Sequence, residues 1–209
     1  MPEARLYSLE MIGTAVFAVT GVLAVNRRGL DAFGGLVLGA VTALGGGTIR
    51  DIIIRAPIFW IQDSNYLWAA VLSALAAFFV TRRLRSTQGS LLYLDGFGAA
   101  LFAVVAAGKV LDLGFGAPVA VIMGVLTSIG GGLIRDVLAG RPTLLMSPEI
   151  YATPILLGCM LYVLLRRVAP DFAFSRQLAV VFIFGLRATA IHWDLQMPGW
   201  LRSREGPAP

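Results

Sequence analysis

The chain has 209 residues, of which 57% are apolar and 14% charged, with a single cysteine and a net charge of +5. A soluble domain carries roughly 25% charged residues, so this composition, with a mean hydropathy of +0.80, excludes a disordered chain, a disulfide-built secreted module and an ordinary cytosolic enzyme. The sixteen arginines and one lysine stand mostly at the ends of apolar runs, where they anchor helices at a lipid interface rather than bind nucleic acid.

A bilayer core about 30 Å thick takes about 20 helical residues to cross. Apolar runs of that kind cover residues 6–25, 33–54, 67–80, 91–110, 117–139, 151–165 and 174–191. The third and sixth are short and use their aromatic and arginine flanks to complete the crossing. The first run could instead be a signal peptide, but its head (Glu3, Arg5, Glu10) has no net positive charge, so it reads as a span. Seven spans place the termini on opposite sides of the membrane. Basic residues, notably Arg82-Arg83-Leu84-Arg85, are in excess on the C-terminal side, which puts the C-terminus in the cytoplasm and the N-terminus outside. Trp60, Trp68, Trp193 and Trp200 read as an aromatic belt. The tail at 202–209 is expected to be disordered.

Slid against itself by 85 residues, the chain repeats. Gly45-Gly46-Gly47-Thr48-Ile49-Arg50-Asp51 falls on Gly130-Gly131-Gly132-Leu133-Ile134-Arg135-Asp136. Phe17-Ala18-Val19 falls on Phe102-Ala103-Val104, Thr42 on Thr127, Pro57 on Pro142 and Tyr66 on Tyr151. Repeat one covers about 6–81 and repeat two about 91–166, each with three spans, and a seventh helix at 174–192 stands outside them. Three is odd, so the second copy enters from the opposite side. The expected fold is an all-α membrane protein of two inverted three-helix repeats plus one helix, and inverted repeats place a working site near the midplane.

Each glycine triplet falls near the middle of its span. Three glycines in a row weaken a helix by up to about 1 kcal/mol each. A break there survives only where it faces protein or water, and it would free carbonyls that can hold a cation. Arg50, three residues after Gly47, lies about 9–10 Å from the midplane, where a charge is costly. Arg50 and Asp51 point about 100° apart on a helix, so each is expected to have its own partner. Arg135 and Asp136 repeat the arrangement. A structural alternative stays open, in which the glycines serve close helix packing and the Arg-Asp pairs lock the interface. Two copies, each followed by charge inside a span, favour a permeation or substrate path.

Thr42, Thr127 and Ser128 are hydroxyls one turn before the glycines or close to it. They are candidate path ligands, with back-bonding to their own helices as the plain alternative. Lys109 is a candidate gating or lipid-contacting charge near the end of the fourth span. His192 reads as interfacial. With one histidine and one cysteine there is no nucleophile–base pair, no metal-ligand spacing, and no phosphate or dinucleotide loop, so no catalytic residue, cofactor or metal is assigned.

The paired GGGxxRD segments in a chain of this size resemble the prokaryotic members of the trimeric intracellular cation (TRIC) channel family, whose bacterial branch also goes under a glycine-transporter heading. The resemblance extends from Gly13-Thr14-Ala15-Val16-Phe17 through Tyr151-Ala152 to Leu186-Arg187. It implies a homotrimer with one pore per subunit, conducting potassium and, less selectively, sodium. It also implies a pore lined by the first, second, fourth and fifth helices and constricted around Gly45, Gly46 and Gly47 and around Gly130, Gly131 and Gly132. The Lys-Glu-Val motif by which animal members engage an anionic lipid is absent; Gly108-Lys109-Val110 does not match it. The rival reading is a carrier of glycine or another small zwitterion, whose carboxylate the arginines would hold.

Overall fold

The computed structural model describes residues 2–25, 31–83 and 88–198, and within these the protein is all-helical. The helices are α1 (Pro2–Val25), α2 (Ala32–Ile53), the four-residue α3 (Phe59–Gln62), α4 (Asn65–Arg83), α5 (Gln88–Asp112), α6 (Ala117–Leu138), α7 (Ala152–Val168) and α8 (Ser175–His192). A 3-10 turn (Leu144–Met146) precedes α7. The tail at 202–209, Trp200 and the side chains of Arg82, Arg83 and Arg85 lie outside the described residues. Leu6–Val25 of α1 and the whole of α2, α5 and α6 are long and apolar enough to cross a membrane unaided, and α4 holds a shorter apolar stretch, Asn65–Thr81. The protein is a multi-pass membrane protein.

Large apolar side chains face outward and a set of charged ones is buried. Phe33, Ile52, Leu72, Phe79, Ile122, Val137 and Val181 are exposed, while Arg50, Asp51, Asp95, Arg135, Asp136 and Arg187 are buried. Helix α5 is the hub, packing against α1, α6, α7 and α8. Its alanines at 99, 100, 103, 106 and 107 are all fully buried. Small side chains let neighbouring backbones approach closely, which is how helices associate where lipid provides no hydrophobic drive.

The ends of α2 and α6 are built alike. Helix α2 starts at Asp31, whose carboxylate accepts a 2.8 Å bond from the Gly34 N–H. Asp31→Ala is expected to lower stability by about 1 kcal/mol, measured as a shift in thermal unfolding of the purified protein. At the other end Ala56 N–H reaches the Asp51 carbonyl at 2.9 Å and Arg55 N–H the Ile52 carbonyl at 3.2 Å. Arg141 and Gly140 repeat these bonds to Asp136 and Val137 at 2.8 and 3.0 Å. Both are Schellman caps, which need a left-handed residue. That residue is Gly140 at φ 56° in α6 but Arg55 at φ 55° in α2.

Helices α2 and α6 run unbroken through their glycine triplets. The expected breaks at Gly45, Gly46 and Gly47 and at Gly130, Gly131 and Gly132 are therefore corrected. At Gly46 and Gly131 a neighbour's backbone occupies the space a side chain would take, and at Gly45 and Gly47 a neighbouring side chain does; this packing outweighs the weak helix propensity of glycine.

Candidate functional site at the helix crossing

The two triplets meet each other. A Cβ on Gly46 would overlap the carbonyl oxygen of Thr127, and one on Gly131 would overlap that of Thr42. The crossing is thus reciprocal: each middle glycine receives the backbone of the partner helix one turn before the partner's own middle glycine. The outer glycines are less constrained. At Gly130 the nearest atom to a new Cβ is the Gly46 Cα at 3.4 Å, an ordinary contact, whereas at Gly47 the Phe59 ring stands 2.6 Å away. A narrow void lined by Phe17, Thr42, Gly46, Phe102, Thr127 and Gly131 adjoins the crossing and has no room for a water molecule. The hydroxyls beside it are committed to their own helices. Thr42 and Thr127 each donate to the carbonyl four residues back at 2.6 Å, and Ser128 donates to Val125 at 2.9 Å.

A buried charge cluster follows each triplet. In the first, Arg50 Nε donates to Asp51 Oδ1 at 2.8 Å, so the adjacent residues pair with each other, and Asp51 has a further partner besides. The length of the arginine side chain lets it span the angle between the two Cβ directions. Asp51 is fully buried and also takes the Lys109 ammonium at 2.8 Å. Its other oxygen accepts the Phe59 N–H at 3.0 Å, and Arg50 lies 5.8 Å from the centre of the Phe59 ring. Lys109, 27% exposed, is thus an ion-pair partner within this cluster.

In the second cluster Arg135 Nε donates to Asp136 Oδ1 at 2.9 Å, and the other Asp136 oxygen accepts the Leu144 N–H at 3.2 Å. These are the same bonds, 85 residues further on. The additional partners differ. Arg135 Nη1 pairs with Asp95 of α5 at 2.6 Å and reaches the Thr20 hydroxyl of α1 at 3.1 Å. Lys109 and Asp95 are 14 residues apart on α5, which at 1.5 Å per residue separates the two clusters by about 21 Å.

Asp95 did not emerge from the sequence as a site residue, although a signal for it was present. The same 85-residue offset places it on Glu10, whose carboxylate is bonded by the Tyr66 hydroxyl. Tyr151, the counterpart of Tyr66, turns its hydroxyl to Asp95. Arg187 was likewise unassigned, and it is fully buried beside Tyr151, with its guanidinium carbon 4.8 Å from the ring centre. His192 stacks edge-on against Trp193 at the end of α8.

A family model described as "Glycine transporter" matches the chain twice, over residues 7–82 and 92–167. Among curated relatives, a UPF0126 membrane protein of Vibrio cholerae is 40% identical over 200 residues, covering 95% of this chain and 84% of that protein. The UPF0126 inner membrane protein YadS of Escherichia coli (strain K12) is 36% identical over 209 residues, covering 96% and 99%. Among solved structures, the TRIC trimeric intracellular cation channel orthologue from Rhodobacter sphaeroides superposes with a TM-score of 0.87 at 37% identity, over 91% of this chain and 98% of that one. A prokaryotic TRIC channel crystallised in 0.5 M KCl gives 0.84 at 28% identity, over 93% and 100%. The doubled motif, the reciprocal glycine crossing and these matches agree, and the chain belongs to the prokaryotic branch of the trimeric intracellular cation channel family, the family whose sequence model is described as glycine transporter.

Proposed function

We propose that the protein is a monovalent cation channel of the inner (plasma) membrane, carrying potassium and, less selectively, sodium through one pore in each subunit of a homotrimer. In this reading the chain crosses the membrane seven times, as two inverted three-helix repeats followed by α8, with the N-terminus outside and the C-terminus in the cytoplasm. The placing of like clusters about 21 Å apart along α5 supports the inversion. The observation that carries the function is the dry crossing of α2 and α6, flanked on either side by a buried carboxylate, Asp51 or Asp136. The path runs between α1, α2, α5 and α6, and it is closed in the conformation described here. Opening requires α2 and α6 to part at Gly46 and Gly131, which would bare the carbonyls of Thr42 and Thr127 to the path. Asp51 and Asp136 supply negative potential at the two mouths, and Arg50 and Arg135 hold those carboxylates in place. Lys109, the one partly exposed member of the first cluster, is the charge able to leave Asp51 when a cation arrives. It also faces the membrane lipids at that end.

The second reading is a carrier of glycine or another small zwitterion, supported by the description attached to the matching family model. Against it, Arg50 and Arg135 already hold aspartates.

The deciding experiment uses liposomes containing only this protein, with a potassium gradient and a charge-sensitive dye. Electrogenic potassium movement independent of added glycine is expected. Saturable uptake of labelled glycine without potassium current would establish the carrier instead. In the same assay Asp51→Asn and Asp136→Asn are each expected to reduce potassium flux; unchanged flux in both removes the carboxylates from the mechanism.

A further inference from the structure

The repeat supplies each half of the protein with two carboxylates and one arginine: Glu10, Arg50 and Asp51 in the first half, Asp95, Arg135 and Asp136 in the second. Each set carries one uncompensated negative charge, and in neither half does the balancing cation come from the matching position of the repeat. In the first half the cation is Lys109, which belongs to the other repeat, is 27% exposed and touches Asp51 directly. The second half has no such solvent access. Asp95 and Arg135 are fully buried and Asp136 is 2% exposed, so an excess charge there would be left in a low-dielectric interior, where a lone ion is strongly disfavoured.

The charge that fits this deficit is on α8. Arg187 is fully buried, and its Cβ, Cγ and Nε lie 3.4–3.8 Å from where a Cβ on Gly96, the neighbour of Asp95, would stand. Its Nη1 donates to the Ile150 carbonyl at 2.6 Å, which fixes it beside Tyr151, and the Tyr151 hydroxyl faces Asp95. Nε and Nη2 find no hydrogen-bond partner among the described residues. The nearest carboxylate to Nη2, that of Glu149, stands 4.0 Å away, beyond hydrogen-bond length, and is 25% exposed. Held on a ring face, one carbonyl and a long ion pair with the partly exposed Glu149, the guanidinium keeps charge to offer on the Asp95 side. We propose that Arg187 is the fixed counter-charge of the second cluster, a positioning residue that holds Asp95, Arg135 and Asp136 electrically neutral, so that α8 is part of the electrostatics of the path and not only a brace on α5. The functional half of this inference rests on the channel reading; the charge balance does not.

The test is a charge cycle on the full-length protein using Arg187→Met, Asp95→Asn, the double variant and Arg187→Lys. Stability is read as the thermal midpoint in detergent, and charge selectivity as the reversal potential in planar bilayers under asymmetric KCl. Arg187→Met and Asp95→Asn should each lower the midpoint. The double variant, again neutral, should recover most of the loss, and Arg187→Lys should stay near the native value. Arg187→Met should move the reversal potential toward the potassium equilibrium potential, and the double variant should move it back. An unaffected Arg187→Met, or a double variant losing as much as the two singles together, overturns the proposal, as does a double variant that fails to fold. If the native protein passes no current while the thermal cycle shows recovery, the channel reading fails and the counter-charge assignment stands.

Discussion

Arg135→Leu is expected to be the most damaging single substitution in the protein. Arg135 is fully buried and bonded at once to Asp95, Asp136 and Thr20. Removing it leaves two carboxylates facing each other in the interior. Loss of one partner from a buried ion pair costs about 3–5 kcal/mol, and here two acids lose the same partner. The variant should accumulate poorly in the membrane and lose its folded form on mild heating, as read by size-exclusion chromatography after a temperature series. Arg50→Leu is expected to be milder, because Lys109 remains on Asp51 at 2.8 Å. Equal loss in the two variants would show that the difference in counter-charges between the clusters has no energetic weight.

The second large effect is greatest at the middle glycine of each triplet. Gly46→Ala and Gly131→Ala drive a methyl group into a backbone carbonyl of the partner helix, which cannot move aside as a side chain would. Overpacking of this kind costs typically about 1–3 kcal/mol. Gly130→Ala meets only an ordinary 3.4 Å contact and gains up to about 1 kcal/mol of helix propensity, so it should be neutral or slightly stabilising. In the liposome assay Gly46→Leu and Gly131→Leu should abolish potassium flux and Gly130→Ala should leave it intact. An equal loss in Gly130→Ala and Gly131→Ala would mean that the glycines act through flexibility and not through the crossing.

The sequence made the membrane character, the repeat and both GGGxxRD segments visible, because each is written in local composition or in a fixed offset. It led to the wrong conformation for the triplets. Propensity counts three glycines as a weak helix, but the fit of Gly46 against Thr127 and of Gly131 against Thr42 depends on partners 81 and 89 residues away. The Arg-Asp geometry was missed for a different reason: a 100° separation of Cβ atoms says little about a side chain long enough to span it. Asp95 could have been found, since the repeat sets it on Glu10 and sets Tyr151 on Tyr66. Arg187 is visible as a charge inside the last span, but α8 has no counterpart in the repeat and only packing shows what that charge faces.

The bonds from Asp51 to the Phe59 N–H and from Asp136 to the Leu144 N–H each span eight residues. Together with the Schellman cap inside that span, each turns a helix end and the segment after it into one rigid body. A hinge therefore has no place between residues 51 and 59, or between 136 and 144. If α2 and α6 swing, the pivot lies upstream of Arg50 and Arg135, and the whole corner with its charges travels as a single lever. Labels attached on either side of a corner should keep a constant separation as the protein works, while labels straddling Gly46 or Gly131 should not.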